Sequence, residues 1–87
     1  MVSKEVVVTN ASGLHARPAV RFVSTAKKFQ SKLTVKYEGK EINGRSIASV
    51  LSAGIVAGSR IVLQFDGEDE CEALEALVAE VVAGLGE

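Results

Sequence analysis

The only histidine of the chain, His15, lies in the run Gly-Leu-His-Ala-Arg-Pro-Ala at residues 13–19. Helical apolar spacing begins directly after it, at Ala16, and continues to about Phe29. The first N–H groups of a helix have no intrahelical acceptor, and the helix dipole adds roughly half a positive charge, so a phosphate is stabilised there. The Arg17 guanidinium can donate two parallel hydrogen bonds to phosphate oxygens. Pro18 fits the first helical turn, where its missing N–H removes no helix bond. A transient phosphohistidine would require this set, although a histidine at a helix start is more often a cap or surface residue.

The elements around His15 follow from the hydrophobic period. Three valines at residues 6–8 predict a strand that stops at the turn-forming cluster 10–13. The helix after His15 has one apolar face, with Val20 at its rim. The face predicted to be buried comprises Ala19, Phe22, Val23, Ala26 and Phe29, and the polar face comprises Arg17, Arg21, Ser24, Thr25 and Lys28.

Strict alternation of apolar and polar residues predicts two more strands, at 32–37 and 60–65. The predicted inward side chains are Leu33, Val35, Tyr37, Ile61, Leu63 and Phe65. Glu38-Gly39 predicts a two-residue hairpin turn that returns as a short strand over 40–43.

An acidic first turn after Asp66-Gly67 opens a last helix that ends near Gly84. Its predicted apolar stripe comprises Leu74, Leu77, Val78, Val81 and Val82. Cys71, the only cysteine, is predicted to be a small core side chain of this helix.

The resulting order is βαββαβα, in the α+β class. Half-polar strands indicate an antiparallel sheet with one face on the core, and three helices would cover that face. Periodicity does not fix the strand order, and a ferredoxin-like α+β sandwich fits it equally well.

Length and charge narrow the function. Residues 1–87 form one small domain, which favours a carrier or binding module over a complete enzyme with its own deep cavity. One cysteine and one histidine make no metal cluster, and the N-terminal residues show no signal-peptide apolar region, so we expect a cytoplasmic protein. All ten basic residues lie in 1–60, whereas residues 61–87 carry eight acids and no base. A pI near 5.8, with no basic stripe, argues against nucleic acid.

The run at residues 13–19 resembles the active-site signature of the HPr family, the histidine-containing phosphocarriers of the phosphoenolpyruvate-dependent phosphotransferase system. The resemblance extends to the chain length, to Ser46-Ile47 opening a short helix and to Gly67-Glu68-Asp69-Glu70 before the last helix. It implies an open-faced β-sandwich with strand order 1-4-2-3. It also implies that His15 carries a phosphoryl group held by Arg17 and by the backbone N–H groups of Ala16 and Arg17.

A second site is expected at Ser46. Its residue type and position predict a helix N-cap, and the resemblance implies the regulatory serine that an ATP-dependent HPr kinase phosphorylates. The short helix that follows is apolar on most sides, so part of it must be exposed. The docking residues for enzyme I and EIIA domains implied by the resemblance are Ala16, Val20, Ile47, Ala48 and Leu51. Ala48 and Leu51 stand where methionines often occur, and Arg45 where lysine is frequent, which leaves recognition by the kinase or a transcriptional regulator open.

We therefore expect a monomeric phosphocarrier that accepts a phosphoryl group from phospho-enzyme I on His15 and passes it to EIIA domains. No metal, bound cofactor, nucleic acid or membrane insertion is expected. Two alternatives remain: a nitrogen-related paralogue with the same chemistry, and a non-transferring co-regulator, a class that replaces the histidine.

Overall fold

A computed structural model describes all residues from 1 to 87. Their order is β1 (Val2–Val7), α1 (Ala16–Lys27), β2 (Lys32–Tyr37), β3 (Lys40–Asn43), α2 (Ile47–Ser52), β4 (Arg60–Asp66) and α3 (Glu70–Val82). The strands form one antiparallel sheet in the order β1-β4-β2-β3. This confirms the order that the resemblance implied and removes the ferredoxin-like alternative.

The sheet is buried on one face only, as the alternation predicted. In β2 and β4, Leu33 lies opposite Phe65 and Val35 lies opposite Leu63, and all four are fully buried. The residues of β2 that alternate with Leu33 and Val35 are exposed or half-buried on the other face: Lys32, Thr34 and Lys36. The three helices supply the second layer over the buried face, so that α1 and α2 lie on the same side of the sheet.

The turn between β2 and β3 forms at Glu38-Gly39 as predicted. Both residues have positive φ, 51° and 78°. That combination is the type I′ hairpin turn, whose twist matches the twist of the flanking strands.

The helix α1 buries Ala19, Phe22, Val23 and Ala26, as predicted. The assignment of Thr25 to the polar face was wrong, because this side chain is buried. The helix packs against both α2 and α3, so its buried surface is wider than its apolar stripe.

The helix α3 differs more from its prediction. Its buried residues are Ala73, Leu77 and Val81, which are spaced by four, while Val82 is 71% exposed. Cys71 is also exposed, so its prediction as a core residue was wrong. At about 100° per residue, Val82 and Cys71 both point away from the face that Leu77 and Val81 define. None of the helices is long and apolar enough to cross a bilayer.

Candidate functional site

His15 is exposed at the N-terminus of α1. Its backbone is extended, with φ −129° and ψ 156°, and its imidazole makes no capping hydrogen bond. A histidine used as a helix cap would donate to or accept from the helix. The ring is instead available to an incoming group, which favours the chemical interpretation of His15 over the capping one.

The next residue, Ala16, has a left-handed backbone conformation with φ 52°. That conformation costs a non-glycine residue roughly 1–2 kcal/mol. It is held by the residues around it, because Leu14 and Ala19 are fully buried and Pro18 is buried as well. Backbone strain of this kind collects at functional sites, where the surrounding fold over-determines it.

The segment before His15 is fixed by the core. Gly13 has φ 64°, and a Cβ there would lie 2.5 Å from the carbonyl oxygen of Ile55. The N–H of Leu14 donates to that same oxygen over 2.9 Å. The side-chain amide of Asn10 donates to the carbonyl of Gly13 over 2.8 Å. Glycine is required here both by the backbone conformation and by the lack of space.

Arg17 supplies an unpaired positive charge beside His15. It is exposed and forms no salt bridge, unlike Arg21 one turn later, whose Nε lies 2.7 Å from Glu80 Oε2. That hydrogen bond raises the pKa of Arg21 and lowers the pKa of Glu80. Arg17 is therefore the arginine of α1 that remains available to an anionic ligand.

A groove runs along α1 from this point. Its lining comprises Ala16, Arg17, Val20, Arg21, Ser24, Leu85 and Gly86. Two of the expected docking residues, Ala16 and Val20, thus share a groove with Arg17. No group of three or more His, Cys, Asp or Glu side chains is placed to hold a metal ion.

The other expected docking residues lie on α2, which packs against α1. Ile47 and Leu51 are 38% and 42% exposed, and Ala48 is exposed as well, while Val50 is buried. The prediction that part of this short apolar helix faces outward is confirmed.

Ser46 caps α2 as predicted, with the N–H of Ser49 donating to its Oγ over 3.2 Å. The neighbouring Arg45 turns away from it. The Arg45 guanidinium donates to the carbonyl oxygens of Ala26, Phe29 and Ser31, where α1 ends. Arg45 therefore stabilises the C-terminus of α1, which the sequence did not reveal.

The sequence also gave no sign of a cluster beside His15 that joins distant residues. The Glu87 carboxylate accepts hydrogen bonds from the side chain of Asn10 and from the N–H and hydroxyl of Ser12. Asn10 and Ser12 were predicted only as turn formers. No local pattern connects them with a glutamate that lies 77 residues after Asn10 and 75 after Ser12.

A family model described as "PTS HPr component phosphorylation site" matches residues 2–82. The chain belongs to the HPr family. It is 43% identical to the phosphocarrier protein HPr of Buchnera aphidicola over 88% of this chain and 91% of that protein. Among solved structures, HPr-C-His from Thermoanaerobacter tengcongensis is similar with a TM-score of 0.97 and 40% identity, covering 100% of this chain and 98% of that one. Crh of Bacillus subtilis, described as a swapped-domain dimer, is 40% identical with a TM-score of 0.76 over 97% of both chains.

Membership of the HPr family gives the arrangement at α1 a chemical context. HPr proteins of solved structure share this fold, and the stretch that the family model matches, residues 2–82, contains His15. His15, Ala16 and Arg17 are brought together at one helix end, and the exposed residues of α2 lie on the same layer.

Proposed function

We propose that this chain carries a phosphoryl group on His15, accepting it from phospho-enzyme I and passing it to EIIA domains. The observation that carries the proposal is the exposed imidazole without a capping bond, at a helix N-terminus next to an unpaired arginine. A histidine with a structural role would accept a hydrogen bond from the free N–H groups at the start of the helix, whereas a nucleophile must keep a ring nitrogen available.

The chemistry is an exchange of one P–N bond for another. An imidazole nitrogen of His15 attacks the phosphorus of the phosphohistidine on the donor, the new N–P bond forms, and the bond to the donor nitrogen breaks. Onward transfer repeats the exchange, with phospho-His15 as the donor. The Arg17 guanidinium and the N–H groups of Ala16 and Arg17 hold the phosphoryl oxygens, which concentrates positive charge where the transferred group is negative. The chain itself acts as a covalent carrier between enzymes.

Incubation with enzyme I and labelled phosphoenolpyruvate tests this proposal. We expect the wild-type chain to take up an acid-labile label, because a phosphohistidine hydrolyses in acid. His15→Ala should lose all of it and keep its fold, since the exposed ring makes no hydrogen bond within the helix. Acid-labile label on the variant would contradict the assignment of His15.

We propose further that Ala16, Val20, Ile47, Ala48 and Leu51 form the docking surface for both partners. Their exposure on two adjoining helices supports this, and acidic partner surfaces would complement the basic residues at positions 1–60.

Regulation by phosphorylation of Ser46 is a separate proposal. Two added negative charges at the start of α2 would lie at the edge of the docking surface and oppose an acidic partner. Ser46→Asp adds negative charge at this edge, so we expect slower labelling of His15. It also keeps a capping oxygen, so the melting temperature should be unchanged. An unchanged labelling rate would leave Ser46 as a cap only. The Arg45 guanidinium is already hydrogen-bonded to carbonyl groups at the end of α1, so we expect recognition of Ser46 by a kinase to depend little on this side chain.

The nitrogen-related paralogue and the non-transferring co-regulator are also distinguished by experiment. A nitrogen-related paralogue would show the same labelling but transfer to a different acceptor. A Crh-like co-regulator would show no labelling at His15. We propose a cytoplasmic monomer, and sedimentation equilibrium distinguishes it from the dimer described for Crh.

A further inference from the structure

The Glu87 carboxylate holds the turn that leads to His15. Glu87 Oε1 lies 3.0 Å from Asn10 Nδ2 and 3.0 Å from the nitrogen of Ser12, and Oε2 lies 2.7 Å from Ser12 Oγ. All three donors point to one carboxylate. These hydrogen bonds lower the pKa of Glu87, with the Ser12 hydroxyl contributing most.

Asn10 connects this carboxylate to the backbone before His15. Its amide nitrogen donates both to Glu87 and to the carbonyl of Gly13. The residue is 5% exposed, and its Oδ1 has no hydrogen-bond partner. The two acceptors of its amide nitrogen hold Asn10 in place, although leaving a buried polar atom without a partner costs free energy. The Gly13 carbonyl belongs to the peptide that carries the N–H of Leu14, next to His15.

The backbone before Glu87 is anchored to the fold through Leu85, and the N–H of Glu87 donates to the carbonyl of Gly84 over 3.0 Å. Leu85 is buried, although its φ of 52° is left-handed, and its N–H donates to the carbonyl of Glu80 over 2.9 Å. Gly84 and Gly86 are also left-handed, so the chain turns back on itself here. Leu85 and Gly86 line the groove that also contains Arg17. This short segment therefore touches both flanks of His15, the turn before it through Glu87 and the groove after it.

We propose that Glu87 is a positioning residue of the His15 site: its carboxylate ties the Asn10–Gly13 turn to the segment beside Arg17 and so fixes how His15 and Arg17 meet a phosphoryl group. The inference rests on the phosphoryl transfer proposed above. Glu87 takes no part in the bond exchange.

The test compares Glu87→Ala with Glu87→Gln. Alanine removes all three hydrogen bonds, whereas glutamine keeps an oxygen for Asn10 and the Ser12 N–H and can donate its own amide to the Ser12 hydroxyl. We expect transfer from phospho-enzyme I at saturating carrier to fall on the order of tenfold in Glu87→Ala, because misplacing a reacting group by about an ångström has effects of this size or larger. The KM should be unchanged, and Glu87→Gln should recover most of the rate.

Asp69→Ala is the matched control. Asp69 also accepts hydrogen bonds from the N–H and hydroxyl of a serine, Ser31, and from the N–H of Gln30, at the other end of α1. Its loss should lower the melting temperature and leave the transfer rate at the wild-type value, measured below the melting transition of every variant. Equal transfer rates in Glu87→Ala and the wild type, or equal losses in Glu87→Ala and Asp69→Ala, would overturn the proposal.

A second measurement separates this inference from the proposed function. The ¹⁵N and ¹H signals of the His15 ring in the unphosphorylated protein should move in Glu87→Ala and return in Glu87→Gln, whether or not the chain is a carrier. Absence of label on the wild-type chain would refute the carrier function, whereas unmoved ring signals would refute the positioning role. Should Glu87→Ala fail to fold, Ser12→Ala removes one of the three bonds, and it must then shift the ring signals in the same direction.

Discussion

The two ends of α1 are held by the same kind of contact, in which a carboxylate accepts hydrogen bonds from the N–H and the hydroxyl of a serine. At its start, Glu87 binds the N–H and hydroxyl of Ser12 together with a neighbouring amide, and at its end Asp69 binds the N–H and hydroxyl of Ser31 together with the N–H of Gln30. Each of these carboxylate–serine contacts lies beside a glycine that has no space for a side chain. A Cβ on Gly13 would meet the backbone of Ile55, and a Cβ on Gly67 would meet Ser31.

The surroundings of the two carboxylate–serine contacts differ. The contact at the end of α1 serves stability, and the contact at its start serves function. At the end of α1, Arg45 donates to three carbonyl groups, and Ser31 is 1% exposed. At the start, His15 makes no capping bond, Ala16 is strained, and Asn10 Oδ1 has no partner. One end has its polar groups satisfied, whereas the other leaves groups available and holds them in an unfavourable conformation. The same carboxylate–serine contact serves packing in one place and positioning in the other.

Among substitutions at the two ends of α1, Gly13→Ala is expected to have the largest effect. The new Cβ would lie 2.5 Å from the Ile55 carbonyl oxygen. The alanine would also have to adopt a φ of 64°, which costs about 1–2 kcal/mol before any clash. Overpacking adds roughly 1–3 kcal/mol. Urea unfolding should therefore show a loss of about 3 kcal/mol, and labelling of His15 should fall in the fraction that remains folded.

Gly67→Ala is the counterpart at the other end. Its Cβ would lie 2.5 Å from Ser31 Oγ and 2.8 Å from Ser31 Cα, without a left-handed backbone. We expect a loss of about 2 kcal/mol from overpacking, with wild-type labelling of His15. A defect in labelling as large as that of Gly13→Ala would show that the two ends are coupled and that the Asp69 end also affects the His15 site.

A smaller effect is expected in acid. Hydrogen bonds from the Ser31 hydroxyl and the Gln30 N–H lower the pKa of Asp69, and those from Ser12 and Asn10 lower the pKa of Glu87. A carboxylate with a lowered folded pKa contributes stability above its unfolded pKa and loses it as the pH falls through the folded value. The wild-type melting temperature should therefore stay level down to about pH 5 and then fall.

Calorimetry from neutral pH to about pH 3 tests each carboxylate separately. Asp69→Ala and Glu87→Ala should each fall less steeply than the wild type, since each lacks one group that must be protonated. The flattening in Glu87→Ala should begin at the higher pH, because an unperturbed glutamate titrates above an aspartate. If the melting temperature of both variants fell with pH as steeply as that of the wild type, neither carboxylate–serine contact would contribute to stability at neutral pH.

Most of the fold could be predicted from the sequence because it depends on local period. The strands over 32–37 and 60–65 and the turn at Glu38-Gly39 follow from alternation and turn chemistry. Errors occurred where the width of a helix's buried face depends on the elements packed against it. Thr25 is buried because α1 packs against two helices, and Cys71 is exposed because α3 buries a narrower face than its composition indicates.

The site could be predicted only where it is contiguous in the chain. His15, Ala16 and Arg17 are neighbours, so their placement at one helix end follows from that helix alone. Glu87, Asp69 and Arg45 act on residues far from them in sequence, and acidic or basic residues on a helix or in a loop are ordinarily solvated. Nothing local distinguishes Glu87 from Glu75, which is simply exposed.

The distances along the chain also bear on the order of folding. Ser31 and Asp69 are 38 residues apart, whereas Ser12 and Glu87 are 75 apart. Closing the longer loop costs only about 0.6 kcal/mol more in chain entropy, but it joins a turn that follows β1 to a residue that follows every strand and helix of the fold. During synthesis the contact is therefore impossible until translation has passed the whole sheet. A partly made chain would display His15 before its surroundings are complete, so we expect nascent protein to be a poor phosphoryl acceptor until Glu87 has emerged.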